Sequence, residues 1–303
     1  MADASRTAIV NAMSVDVEDY FQVSAFDRVV LRASWDSLES RIVSNTTRML
    51  DLFERNGVRA TFFVLGWVAD RYPALVRRIA EAGHEVGSHG YDHQLLYTLT
   101  PRQFREDVRT AKLAIENAAG TTVFGFRAPS YSVVRTSLWA LDVLVEEGYR
   151  YDASIFPIRH DRYGIPDSQR HHHLLHCSSG TLIEVPGSTV RVNGVNLPVA
   201  GGGYFRLLPY AWTRWGIARV NRVEGKPVVF YIHPWEIDPD QPRFPVGAAT
   251  RLRHYTGLGR TERRLQRLLD EFRFDSIAAM LECGGSRFGV AATPIGLPSG
   301  LVA

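Results

Sequence analysis

A chain of 303 residues with 45% apolar and 22% charged side chains can bury a sizeable core, which excludes a disordered or low-complexity polypeptide. Its 35 basic and 32 acidic residues leave a formal charge of +3, too balanced to imply nucleic acid or another polyanion as partner. The two cysteines, Cys177 and Cys283, lie far apart without a C-x-x-C spacing, which excludes a disulfide framework and a thiolate zinc site. The opening MADASRTAIVNAMSVDVEDY has no basic segment followed by an apolar run, and nowhere do ~18 apolar residues follow one another. The expectation is a cytoplasmic protein without a membrane span.

Taken in chain order, Ile9 to Val17 is an apolar run of strand type that meets Asp16, Glu18 and Asp19 at its end. Alternation along a strand puts Asp16 and Glu18 on one face and Asp19 on the other, unless the strand has already ended there. Carboxylates there cost desolvation unless they are paired or bind a cation; the competing reading is a helix start, which also favours acids. A second strand is expected over Ala60 to Leu65, and a helix from Pro73 to Ala80 that stops before Gly83. Glu85 to Gly87 is a third strand, followed by SHGYDH, in which His89 and His93 stand four apart. That spacing lets two imidazoles reach one cation, and it is equally open to two histidines making ordinary hydrogen bonds. His84, at the other end of the strand, reads as structural.

Thr100, Pro101 and Gln103 are the cap, first-turn proline and returning amide of a helix running to about Ala118. Thr122 to Phe126 is a strand that delivers Arg127, a guanidinium suited to clamping a carboxylate in a structural or a functional pair. A helix covers Ser137 to Glu147, and the strand Tyr149 to Asp152 ends on Asp152. Residues 159–179 and 188–206 read as long polar loops that line a mouth, with the histidines of 171–173 in loop contacts. Leu182 to Val185 and Pro227 to Ile232 are the last strands, the latter delivering His233 and Trp235. The helix Thr261 to Phe272 carries Leu265, Leu268, Leu269 and Phe272 on one core-facing stripe.

Short apolar runs alternating with helical segments predict an α/β fold with a mainly parallel sheet, curved or closed as a barrel, in one domain. Ligands of such sheets bind outside the carboxyl ends of the strands. Five strand ends bearing groups suited to hydrolysis therefore point to one reactive rim.

The combination of D-x-E-D at 16–19, S-H-x-x-x-H at 88–93, R-A-P-S at 127–130, D-x-S at 152–154 and H-P-W at 233–235 resembles the polysaccharide deacetylase family, or NodB-homology carbohydrate esterase family 4, over about residues 8–285. VDVEDYFQVSAF and HPWEIDPDQPR resemble, more narrowly, a branch associated with exosortase and exopolysaccharide gene clusters, with a C-terminal extension at about 236–285. The resemblance implies a distorted seven-stranded (β/α) barrel, NodB-like, over a single domain at 1–303. It implies Asp16 as catalytic base, Arg127 as the group orienting it, His233 as catalytic histidine and Asp152 as the acid that tunes it. His89 and His93 become metal ligands. Where the family has adjacent aspartates this chain has Asp16-Val17-Glu18-Asp19, so the metal carboxylate is Glu18 or Asp19, with Glu18 favoured. R-A-P-S in place of R-P-P-Y puts the oxyanion N–H on Ser130, and Tyr131 and Trp235 are candidate substrate contacts, with Tyr204 and Phe205 as further aromatics. The implied cofactor is a divalent metal, zinc first and cobalt or nickel as alternatives. The implied reaction removes N-acetyl groups from amino-sugar units of a polysaccharide or its lipid-linked precursor; an oligomer is compatible with all of this. An allantoinase-like hydrolase of the same barrel and a non-catalytic saccharide-binding protein are the rivals, both disfavoured by the complete set of histidines and carboxylates.

Overall fold

Residues 9–283 are described by the computed structural model. The first strand, β1 (Asn11–Val17), is buried along its whole length, which is why it reads as an apolar run rather than an alternation. It is followed by β2 (Thr61–Val64), β3 (Glu85–Ser88), β4 (Gly125–Phe126), β5 (Tyr151–Asp152), β6 (His173–Cys177), β7 (Gly180–Glu184), β8 (Thr189–Val192), β9 (Val195–Pro198), β10 (Val229–Ile232) and β11 (Phe274–Asp275). One nine-stranded sheet runs in the order β10-β1-β2-β3-β4-β5-β7-β6, with β11 also on β1. Its pairs are parallel except β6 with β7. Among the described residues no ladder joins β6 back to β10, so strand pairing does not close the expected barrel. The α/β class and the parallel sheet stand.

Parallel register brings the carboxyl ends of the strands to one rim. Val15 lies opposite Ile232, Val64 opposite Ser88, and Phe126 opposite both Ser88 and Asp152. Asp16, His89, Arg127 and His233 therefore leave the sheet at the same level.

The helices obey their local signals. Pro73–Glu81 opens on its proline, and Gly83 follows in left-handed backbone. Pro101–Ala119 has a capping box between Thr100 and Gln103 and ends on Gly120 at φ 70. Leu258–Glu271 buries Leu265, Leu268 and Leu269. Ile42–Arg55 is an amphipathic helix that the reading by motifs passed over.

The two segments read as loops hold regular structure. Residues 159–179 contain β6, and residues 188–206 contain β8, β9 and all but the last residue of the short helix Gly202–Leu207. β8 and β9 turn on Asn193 and Gly194, both at positive φ, an Asn-Gly hairpin whose signal stood in the sequence. The strands around it are partly exposed, so their apolar content is too low to announce them. His171, in the loop, pairs with Glu224 at 3.0 Å, whereas His173 opens β6 opposite Glu184, so the loop expectation for that run does not hold for its last histidine. Among the described residues no helix is long and apolar enough to cross a membrane.

Candidate active site

The end of β1 carries two carboxylates into a buried rim, Asp16 and Glu18 each being 2% exposed. Uncompensated, such charges would cost several kcal/mol each. Arg127, arriving from β4, compensates Asp16: its Nη1 donates to Asp16 Oδ1 at 2.7 Å and to Ser14 Oγ at 2.8 Å, while Nε donates to the Ala153 carbonyl at 3.2 Å. The face of Phe63 lies 4.3 Å from the guanidinium carbon and completes its seat.

Glu18 faces a different set. Ligand atoms of Glu18, His89 and His93 lie within 4.8 Å of one another, and all three residues are buried. His89 Nδ1 is 2.7 Å from the Arg127 carbonyl, which fixes the ring and leaves Nε2 for the cluster. Burial drives the His89 pKa down to about 4, so the imidazole is neutral, the form that binds metals. Burial also pushes the Glu18 carboxyl up, but His93 and His233 more than reverse this and hold it well below the usual range. Trp235 Nε1 donates to Glu18 Oε1 at 3.1 Å and orients the carboxylate. Two imidazoles and one carboxylate, with His93 Nε2 2.5 Å from Glu18 Oε2 and His93 Nδ1 buried without a hydrogen-bond partner, fit a divalent cation.

Asp19 does not join them. β1 ends at Val17 and the chain turns at once, Glu18 N donating to Asp16 O at 3.0 Å, so strand alternation no longer governs position 19. Asp19 Oδ2 instead accepts from Ser40 Oγ at 2.7 Å, Arg41 N at 2.9 Å and Ile42 N at 3.2 Å, at the start of the helix Ile42–Arg55. The helix-start reading describes Asp19, and the cation reading describes Glu18.

His233 follows β10 with Nε2 at 3.6 Å from Glu18 Oε1 and 3.8 Å from Asp16 Oδ2. Its partner on the other nitrogen is Glu236: Nδ1 lies 2.9 Å from Glu236 Oε2, which also accepts the His233 backbone N–H at 3.1 Å. Burial lowers the His233 pKa, yet Glu18 and Glu236 outweigh it and raise it to about 9. Arg206 Nε in turn donates to Glu236 Oε1 at 2.5 Å, and its Nη atoms donate to the carbonyls of Arg253, His254 and Thr256 at 2.7 to 3.0 Å. Those carbonyls end the helix Ala248–Tyr255, so Arg206 couples a helix terminus to the histidine's carboxylate.

Asp152 therefore does not hold the histidine. β5 is separated from β10 by β1, β2, β3 and β4. The Asp152 carboxylate accepts from Ser154 Oγ and lies beside Glu184, its register partner on β7. Burial raises Asp152 to about 6 and, with Asp152 facing it, pushes Glu184 well above the ordinary range, so the pair retains a proton. Glu236 had a signal in the sequence, the i, i+3 spacing of H-P-W-E at a strand end; Arg206 had none.

Ser130 and Tyr131 both adopt left-handed backbone, φ 53 each, which is costly for residues with side chains and recurs at sites. Both line the ≈ 240 Å³ cavity onto which Asp16, Glu18, His93 and His233 open. Ser130 Oγ lies 2.8 Å from Ser24 Oγ. Tyr131 packs on Phe156 and Tyr231. The Trp235 ring is stacked on His233 and His254 and is 5% exposed, so it serves the carboxylate more than it offers a free face to a sugar. Phe205 is buried against Phe230, and Tyr204 meets Tyr163 hydroxyl to hydroxyl at 3.0 Å. His84 accepts the Ala60 N–H at 3.1 Å and is structural.

Residues 26–151 match the polysaccharide deacetylase family, and residues 153–282 match a domain of unknown function, DUF3473. A peptidoglycan-N-acetylglucosamine deacetylase of Bacillus cereus is 32% identical over 98 residues, 32% of this chain and 36% of its own length. A chitooligosaccharide deacetylase of Bradyrhizobium is 33% identical over 99 residues, 33% of this chain and 43% of its own. The chain thus spans well under half the length of these curated relatives. A Mycobacterium smegmatis crystal structure, assigned as a polysaccharide deacetylase, shares the fold with a TM-score of 0.61 at 20% identity over 97% of both chains. The matched segments contribute His89, His93 and Arg127 on one side and His233 and Glu236 on the other to a single rim, and residues 26–151 carry a polysaccharide deacetylase domain followed by DUF3473.

Proposed function

We propose that this protein is a metal-dependent hydrolase that removes N-acetyl groups from amino-sugar units of a saccharide, such as an exopolysaccharide or its lipid-linked precursor. One observation carries the reading: Asp16, Glu18, His89, His93 and His233, drawn from three separate strand ends, open onto or adjoin one cavity. The names of the relatives, peptidoglycan and chitooligosaccharide deacetylases, support the substrate class. Both matched segments build a single catalytic unit in this reading.

Glu18, His89 and His93 would hold the cation, zinc first and cobalt or nickel as alternatives, which would polarise the acetyl carbonyl and acidify water. Asp16 removes the proton of the attacking water. Its Oδ1 is clamped by Arg127, which leaves Oδ2 on the side of His233 to accept that proton. The backbone N–H of Ser130, set by its left-handed conformation, is the donor to the oxyanion. His233, held protonated between acids, delivers a proton from Nε2 to the departing amine, and Glu236 fixes the ring for that transfer. Acetate and a free amino sugar are the products.

Release of acetate from N-acetylglucosamine oligomers, lost on chelation and in Asp16→Asn, is the expected result. Turnover that survives both treatments, or sugar binding without turnover in the untreated protein, would replace this reading with an allantoinase-like or a non-catalytic one.

A further inference from the structure

The inner end of the cavity is acidic, but its outer wall is not. Arg162 and Arg253 both line it, from the segment 159–164 and from the helix Ala248–Tyr255. Both lie in the part of the chain that matches the domain of unknown function. Among the described residues neither guanidinium has a carboxylate at ion-pair distance or a hydrogen-bond partner for its side-chain nitrogens.

His160 lines the same cavity as the two arginines and is stacked on Tyr163 with ring centroids 3.9 Å apart, and Tyr163 is tied to Tyr204. Burial lowers the His160 pKa; Asp161 raises it, and Arg253 and Arg162 lower it further, so both cations bear on the same ring. The local acids are otherwise engaged or turned away. Asp161 meets His160 Nδ1 at 3.0 Å with its side chain 68% exposed, and Asp27 senses Arg162 without pairing to it. Arg206, buried in the same wall, spends four of its five N–H donors on Glu236 and three carbonyls.

A neutral N-acetylhexosamine has no use for two unpaired guanidiniums at the mouth of its site, whereas phosphate and carboxylate oxygens match their forked donors. We infer that Arg162 and Arg253 form an anion-binding subsite, and that the N-acetylated substrate carries a phosphate or carboxylate group next to the sugar whose amide enters the cavity. This rests on the deacetylase reading for the sugar, and on the unpaired arginines alone for the anion. It also gives the second matched segment a task, that of selecting charged over neutral saccharides.

The test compares binding of N-acetylglucosamine 1-phosphate, a glucuronate–N-acetylglucosamine disaccharide and uncharged methyl N-acetylglucosaminide by calorimetry, alongside acetate release from each. Wild type should bind at least one anionic probe roughly tenfold or more tighter than the methyl glycoside, the strength of a charge-assisted contact. Which anion is preferred separates phosphate from carboxylate. Raising the salt should shrink the preference. Arg162→Gln and Arg253→Gln are changes of exposed side chains and leave the core untouched; together they should bring the three probes to parity, with the methyl glycoside unchanged. Equal binding of charged and neutral probes by wild type, or a double variant that weakens all three alike or none, overturns the inference. If no probe releases acetate while the charge preference persists and is lost in the double variant, the deacetylase reading fails and the anion subsite stands.

Discussion

Glu236 Oε2 accepts both the backbone N–H of His233, at 3.1 Å, and the hydrogen bond of the same residue's Nδ1, at 2.9 Å, so one carboxylate fixes the position and the tilt of the ring. The hold on the imidazole is local, three residues along the chain, and is anchored from outside by Arg206. Glu236→Gln keeps the shape and one acceptor but removes the charge that balances the ring. We expect kcat to fall roughly 100-fold with KM little changed, in the range of general acid contributions. Asp152→Asn, in contrast, leaves His233 untouched and should cost at least tenfold less; steady-state kinetics of the two variants decides which acid serves the histidine.

Removing the donor that orients Glu18 should be felt in metal binding before chemistry. Trp235→Phe deletes the Nε1–H that meets Glu18 Oε1 at 3.1 Å and keeps a ring beside His233 and His254. Metal affinity, measured by competition with a chromophoric chelator, should drop about 10- to 100-fold, with turnover largely restored when metal is saturating. An unchanged affinity would mean that the tryptophan only packs.

Metal should also stabilise the fold, since the three ligands come from loops after β1 and β3 that converge only in the native state. Added zinc at 100 times its dissociation constant should raise stability by about 2.7 kcal/mol, seen as an upward shift in thermal midpoint. The shift should vanish in His89→Ala, and Asp19→Asn should retain it because Asp19 faces a helix start.

Arg127 is the largest of the fully buried side chains among the described residues and pairs with Asp16 at 2.7 Å. Arg127→Met fills similar space and leaves Asp16 buried without its counter-ion. Urea unfolding should register a loss of about 3–5 kcal/mol, and acetate release should fall with it, whereas replacing Asp16 as well should recover part of the stability.

His84 offers a titration away from the site. Burial, and Arg59 after it, depress its pKa from 6.5 to about 4. Between those values the unfolded chain binds the proton that the folded chain refuses, so the contribution is complete above pH 6.5 and is lost as the pH falls toward 4. His84→Asn, which can still accept the Ala60 N–H, should flatten that part of the profile. The difference between the two proteins across the window should be on the order of 1 kcal/mol, read from denaturant midpoints at stepped pH.

Much of this protein was settled by its sequence, because the relevant physics is local. A fully buried parallel strand has to be apolar until the residue at which it reaches the rim, so the runs ending near Asp16, Arg127 and His233 declared both the sheet and its reactive edge. Caps, prolines and glycines fixed the helices around it. The tertiary structure decided what depends on where strands lie in the sheet and on how the chain turns after them. It placed β5 too far along the sheet for Asp152 to serve His233 and put Glu236 there instead. It turned Asp19 to a helix start and Glu18 to the histidines, because the strand stops one residue before alternation could choose between them. It brought Arg206, Arg162 and Arg253, widely separated in the chain, to one wall, since long-range packing leaves no periodic mark in a sequence.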